Sequence, residues 1–148
     1  MKAILQRVTF AEVKVDGNTV GKIDNGFLIL LGVAEGDTEK EADALSSKIA
    51  TLRVFTDEND KMNLSLIDTS GEMLIVSQFT LCGDCKKGTR PSFDKSAPPE
   101  VANELYEYFI KEVQSYGIKT GTGVFGAMME VELINDGPVT FMLEAHNG

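Results

Sequence analysis

An α+β fold is predicted from three observations. The opening third alternates in the manner of strands, two segments repeat apolar residues at helical spacing, and short apolar runs lie at residues 27–31 and 73–76. With 148 residues and 43% hydrophobic content, the chain can bury one substantial core and is too short for two ordinary domains. Residues 1–148 are therefore expected to form one globular domain.

The elements follow in order. Ile4, Gln6, Val8 and Phe10 form one alternating set, followed by Val13 and Val15 and a turn at Asp16-Gly17-Asn18. Asp24-Asn25-Gly26 makes a second turn before a strand over residues 27–33, so the chain opens antiparallel. Thr38-Glu39-Lys40-Glu41 has the form of a capping box, in which Thr38 accepts from a free helix N–H and Glu41 reaches back. Ala42, Leu45, Ile49 and Leu52 then mark the buried face of a first helix. The polar residues 56–60 turn the chain, and Met73-Leu74-Ile75-Val76 reads as a buried strand leading into Ser77 and Gln78. Pro98-Pro99-Glu100 opens a second helix with Val101, Leu105, Phe109 and Val113 on its face, ending near Gly117. A Gly-rich stretch at 120–123 precedes the strand-like Met129, Val131 and Leu133, and Asp136-Gly137-Pro138 turns the chain into a last strand over 139–143.

Composition excludes several functions. No run approaches the roughly 18 apolar residues of a membrane span, and no signal-peptide pattern opens the chain, so a cytoplasmic location away from membranes is expected. A net charge of −9 opposes nonspecific binding along a nucleic-acid backbone, and DNA is not an expected partner. Lys86, Lys87, Arg90 and Lys95 nevertheless fall close together; they read either as a patch for an RNA end or as an ordinary solvated loop. Cys82 and Cys85 make a lone C-x-x-C in loop-like sequence, either two reduced thiols or a redox pair, and too few ligands for a zinc ribbon. The single histidine, His146, lies two residues from the end, which disfavours Ser-His-Asp or Cys-His catalysis. No P-loop, H-E-x-x-H or dinucleotide fingerprint occurs, so neither cofactor nor metal is expected. An enzyme without a strong base or metal suits a substrate that is already activated.

Two segments stand out. Ser77-Gln78-Phe79-Thr80 sets three hydrogen-bonding side chains around one aromatic where an apolar strand ends, either a ligand-presenting edge or an ordinary exit into a loop. Gly137-Pro138 interrupts a strand pattern with a residue that cannot donate to a ladder. Glycine there allows close backbone approach to a ligand, or simply a tight turn, and the residues alone favour the commoner trans bond.

Taken together, Ser77-Gln78-Phe79-Thr80-Leu81 and Asn135-Asp136-Gly137-Pro138-Val139-Thr140 resemble the motifs of the D-aminoacyl-tRNA deacylases of the bacterial and eukaryotic type. Gln6-Arg7-Val8, Lys61-Met62-Asn63-Leu64, Arg90-Pro91-Ser92-Phe93 and Phe125-Gly126-Ala127 extend the likeness over nearly the whole chain. The cysteine pair beside the first motif departs from that pattern.

The resemblance implies a mostly antiparallel sheet or barrel-like roll with two main helices. It also implies a homodimer that hydrolyses the ester at the 3′ end of D-aminoacyl-tRNA. Gly137 and Pro138, joined by a cis bond, would enter the partner's pocket and exclude L-aminoacyl groups, with Arg7 holding their loop. Enantiomers carry identical groups, so discrimination between them must be geometric. Glycine would escape such a filter, making glycyl-tRNA a secondary substrate. The catalytic positions are Gln78, Phe79 and Thr80: backbone N–H groups near Phe79 and Thr80 would stabilise an oxyanion and Gln78 would orient substrate or water, with Thr80 as nucleophile the rival scheme. Ser77, Phe79, Phe125, Met129, Gly137 and Pro138 would contact substrate. A noncatalytic RNA-end binding protein on the same fold is the alternative, and a thiol-redox protein a third.

Overall fold

The computed structural model describes residues 1–146. Its strands are β1 (Lys2–Val15), β2 (Asn18–Ile23), β3 (Gly26–Gly32), β4 (Phe55–Thr56), β5 (Met62–Leu64), β6 (Glu72–Ser77), β7 (Thr120–Thr122) and β8 (Glu130–Glu144). The helices are α1 (Glu39–Thr51), the short α2 (Leu66–Thr69) and α3 (Pro99–Ser115). The class is α+β, as predicted.

The main sheet is mixed. Antiparallel pairs join β1 to β2, β3 and β8, whereas β6 runs parallel to both β3 and β7. One edge of β1 follows β8 along its length, while the other pairs first with β3 and then with β2. The far edge of β7 comes back against β2: a Cβ on Gly21 would fall 2.2 Å from the carbonyl oxygen of Thr122, so the sheet nearly closes there.

This closure accounts for the apolar runs. β3 and β6 are buried on both faces, so they carry continuous apolar residues instead of alternating ones. Phe27, Ile29, Leu31, Met73 and Ile75 face α1 and α3, while Leu28, Leu74 and Val76 face the barrel interior with Val8, Ala11, Val13 and Ile23. In β1 the buried set is Ala3 and Leu5, then Val8, Ala11 and Val13. The predicted set Ile4, Gln6, Val8 and Phe10 therefore holds only at Val8. The phase flips beside Arg7, where β1 passes from one core to the other and its register with β8 slips.

The capping box at Thr38 and Glu41 is present, and Ala42, Leu45 and Ile49 are buried. In α3 the buried stripe is Ala102, Leu105, Tyr106, Phe109, Ile110 and Val113, with Val101 alone of the expected face exposed. The Gly-rich stretch forms β7, and the two expected C-terminal strands are one long β8 with an outward loop between Asn135 and Thr140. Among the described residues no helix is long and apolar enough to cross a membrane.

Candidate active site

Ser77 ends β6, and the chain turns at once into a single 3₁₀ turn, Phe79–Cys82. The Gln78 N–H donates to the Leu31 carbonyl at 2.7 Å, fixing the start of the turn to the sheet, and the Leu81 N–H donates to the Gln78 carbonyl at 3.2 Å, closing the turn on itself. Gly32 makes that seating possible. A Cβ there would lie 2.9 Å from Leu81 Cβ and 3.0 Å from the Gln78 carbonyl oxygen, so no larger residue lets the turn rest on the end of β3.

The first N–H groups of such a turn have no partner within it. Among the described residues nothing accepts from the N–H groups of Phe79 and Thr80. Gln78 Nε2 donates to Thr80 Oγ1, and the Phe79 carbonyl accepts from Ser96 Oγ at 3.4 Å. Phe79 is 55% exposed with its ring edge-on to Phe93 at 5.1 Å, so the turn offers an aromatic face beside two uncommitted amides. Neither Gln78 nor Thr80 can serve as a base at neutral pH. The nearby Cys82 thiol is buried, and desolvation raises its pKa above the ordinary thiol range, so at neutral pH it is a protonated, inert group. His146 is exposed and pairs with Glu144 at 2.7 Å.

β7 runs parallel to β6 with Thr122 opposite Ile75, so the chain leaves β7 beside the place where Ser77 leaves β6. Phe125, half-buried, lies there against Tyr106, ring to ring at 6.1 Å; burial pushes the Tyr106 hydroxyl up to about 12, and it donates to the Ile75 carbonyl at 2.7 Å. Met129 packs over Gly123, its sulfur filling the space a Cβ at Gly123 would need, close to Val76. Ser77, Gln78, Phe79, Thr80, Phe125 and Met129 thus converge on one end of the parallel strands.

Gly137 and Pro138 do not join them. Asn135 pairs with Val8, Val8 with Gly26 and Gly26 with Glu72, the first residue of β6. Asp136 accordingly lines a 520 Å³ cleft with Val8, Gly71 and Glu72. Ser77 lies five residues further along β6, roughly 17 Å at strand rise. Within one chain the two motifs occupy opposite ends of the same strands.

The loop is fastened at its base and free at its tip. Asn135 Nδ2 donates to the carbonyls of Arg7 at 3.0 Å and Val139 at 3.1 Å, clasping the two ends together. Arg7, buried under Phe55, donates through Nη1 to the Val54 carbonyl at 2.6 Å and through Nε to the Asp136 carbonyl at 3.3 Å, with the Asp136 carboxylate 3.1 Å away. Val139 is buried beneath, while Gly137 and Pro138 project outward, joined by a cis bond where the residues alone favoured trans. A Cβ on Gly137 would meet nothing closer than Asn135 Oδ1 at 3.4 Å. Sequence reasoning missed the structural parts played by Gly32 and the Asn135 amide. Neither had a signal in a single sequence, because each depends on a neighbour distant along the chain.

The sequence profile of the D-Tyr-tRNA(Tyr) deacylases matches residues 4–144. The chain is 57% identical to the D-aminoacyl-tRNA deacylase of Thermosipho africanus (strain TCF52B), covering 98% of this chain and 97% of the relative. To that of Geotalea uraniireducens (strain Rf4) it is 60% identical, covering 97% and 93%. Among solved structures, the c-Myc DNA Unwinding Element Binding Protein superposes with a TM-score of 0.92 at 41% identity, over 99% of this chain and 100% of the other. A probable eukaryotic D-amino acid tRNA deacylase shares the fold, with a TM-score of 0.81 at 19% identity over 97% and 98% of the two chains.

Proposed function

The chain belongs to the D-Tyr-tRNA(Tyr) deacylase family, and from that premise we propose that it hydrolyses the ester of D-aminoacyl-tRNA in a pocket built from two copies of the chain. The observation that carries this reading is the pair of uncommitted N–H groups at Phe79 and Thr80, beside Gln78, where no imidazole or ionised thiol is at hand.

An aminoacyl ester suits such a site. Its carbonyl is activated and its alcohol is a ribose hydroxyl with a neighbouring hydroxyl, so orientation and oxyanion stabilisation carry the chemistry. Water adds to the ester carbonyl, the oxyanion forms against the Phe79 and Thr80 amides, and the C–O bond to the ribose breaks as the ribose oxygen takes up the proton lost by the water. Gln78 orients the substrate or the water, and the terminal ribose hydroxyl assists in proton transfer. Ser77, Phe79, Phe125 and Met129 contact the substrate end. Thr80 acts without covalent attachment, since no base activates its hydroxyl.

Chirality is read by Gly137 and Pro138 of the second copy, whose backbone occupies the space an L side chain needs while leaving room for a D one. Glycyl-tRNA, with no side chain to exclude, is a further substrate. Arg7 orients the loop. Pairing of copies is supported by β8, whose outer edge is unpaired among the described residues and which carries Ile134 and Met142 at 59% and 77% exposure. A long exposed edge of this kind invites another chain.

Incubation with D-tyrosyl-tRNA and L-tyrosyl-tRNA tests the reading. Release of D-tyrosine alone is expected; release of both at similar rates, or tight binding of the RNA without release, contradicts it. The second outcome would favour a noncatalytic RNA-end binding protein.

A further inference from the structure

We infer that the cleft between the start of β1 and the loop after Cys82 holds the phosphodiester backbone of the substrate's unpaired 3′ end. The inference rests on the deacylase reading above and names the part of the RNA that this surface contacts.

The cleft, 310 Å³ in volume, is lined by Lys2, Cys82, Gly83, Asp84, Cys85, Lys86 and Lys95. Two lysines of the loop, Lys86 and Lys95, are therefore joined by Lys2 from the far end of the chain directly beyond the turn that carries Phe79 and Thr80. The setting makes this unusual. The chain holds 14 Lys and Arg against 23 Asp and Glu, yet residues 83–96 contain Lys86, Lys87, Arg90 and Lys95 against only Asp84 and Asp94. An anionic molecule that keeps a local cationic strip beside its candidate active site presents there a place where a polyanion can approach.

The strip is also held in shape. Asp84 and Ser92 exchange backbone hydrogen bonds at 2.7 and 2.9 Å, so residues 85–91 form a hairpin-like loop with a fixed base. Asp84 Oδ1 accepts the Lys86 N–H at 2.9 Å, and Lys95 Nζ lies 3.8 Å from Asp84 Oδ2. The Asp84 carboxylate, held below its usual pKa chiefly by the Lys86 N–H, serves as an internal anchor. Lys2 Nζ is 3.8 Å from Glu144, a loose contact between partly exposed groups, and Lys87 and Arg90 make no ion pair among the described residues. These cations are available to an incoming anion.

Phe93 links the strip to the turn. It is exposed, contacts the Phe79 ring, and follows Ser92 at the base of the loop. Lysines flanking an exposed aromatic pair are what an unpaired nucleic-acid strand needs: cations for its phosphates and a ring face for a base. A continuous duplex fits poorly, because the cationic strip spans one short loop while the rest of the chain repels phosphate.

The test compares one variant, Lys86→Ala with Lys95→Ala, against the unaltered protein on two esters. One is D-tyrosyl-tRNA; the other is D-tyrosyl-adenosine, which has the same ester and no phosphodiester. The variant is expected to raise KM for the tRNA roughly tenfold with kcat within about twofold, to change KM for the nucleoside ester by less than about twofold, and to flatten the dependence of log(kcat/KM) on log salt by about 1.4, the value for two lost single-strand phosphate contacts. Unchanged KM and slope on the tRNA overturn the inference, as does an equal loss on both esters, which marks a structural role. If the unaltered protein cleaves the nucleoside ester as well as the tRNA, the phosphate contact is absent while the deacylase reading survives. If it cleaves neither, both fail together.

Discussion

The turn at residues 78–82 and the loop at 135–140 are both short, glycine-dependent and exposed, but they are built in opposite ways. The turn is pressed onto the sheet: Gly32 leaves no space beneath it, Leu31 holds its first N–H, and Cys82 is buried at its end. What it exposes is the Phe79 ring and the two free amides beside it. The loop is clasped only at its base by Asn135 and Arg7, and Gly137 and Pro138 project from it into open space. In the proposed pocket one region receives a group and the other delivers one. Lying at opposite ends of β6, they become a single pocket only if different copies supply them.

That contrast orders the expected effects of mutation. Gly32→Val should be the most damaging, because even a Cβ already meets Leu81 and the Gln78 carbonyl; overpacking of this kind costs about 1–3 kcal/mol, and displacing the turn should lower kcat/KM by roughly 100-fold or more. Denaturant unfolding and steady-state kinetics check the two parts separately. Gly137→Val should do the reverse. Its side chain finds space within the chain, so the melting temperature should stay within about 3 °C, while deacylation of D-tyrosyl-tRNA falls at least about tenfold. A large loss of stability would place the constraint inside the chain and weaken the account.

Arg7→Ala removes the donor to Val54 and Asp136 and leaves a buried carbonyl unsatisfied, so a loss of about 1–3 kcal/mol is expected together with a narrower gap between D- and L-tyrosyl-tRNA rates. Thr80→Ala should be mild, within about tenfold of the unaltered rate, since in the proposed scheme the amide and not the hydroxyl faces the oxyanion. Trapping of an acyl group on Thr80 would reverse that assignment. The smallest effect concerns the thiols. Burial raises the Cys82 pKa, so its thiolate fraction at pH 8 is below that of an ordinary cysteine, and iodoacetamide should label the exposed Cys85 first. Mass spectrometry of a timed alkylation reads the order directly.

What the sequence made legible was local. The capping box at Thr38 and the buried runs 27–31 and 73–76 are dictated within a few residues, and both are where expected. The site motifs were equally visible as strings. Alternation in β1 was misread because its phase depends on which core each half faces, a property of the closed sheet. On α3 the expected Leu105, Phe109 and Val113 are buried and Val101 alone is not, because Tyr106 and Ile110 widen the stripe toward the side that Ala102 begins. The parts played by Gly32 and Asn135 were hidden for the same reason as the sheet closure: each is defined by a contact across the fold.

Complementation between two impaired chains mixed in equal amounts tests the central claim most directly. Gly32→Val keeps an intact loop and Gly137→Val an intact turn, so a mixed dimer of the two contains one pocket with both parts unaltered and one with both changed. If the copies are exchanged at random, half the dimers are mixed, and deacylation of D-tyrosyl-tRNA should recover to about one quarter of the unaltered rate per chain. Activity in the mixture no greater than the mean of the two variants alone would contradict a pocket shared between copies.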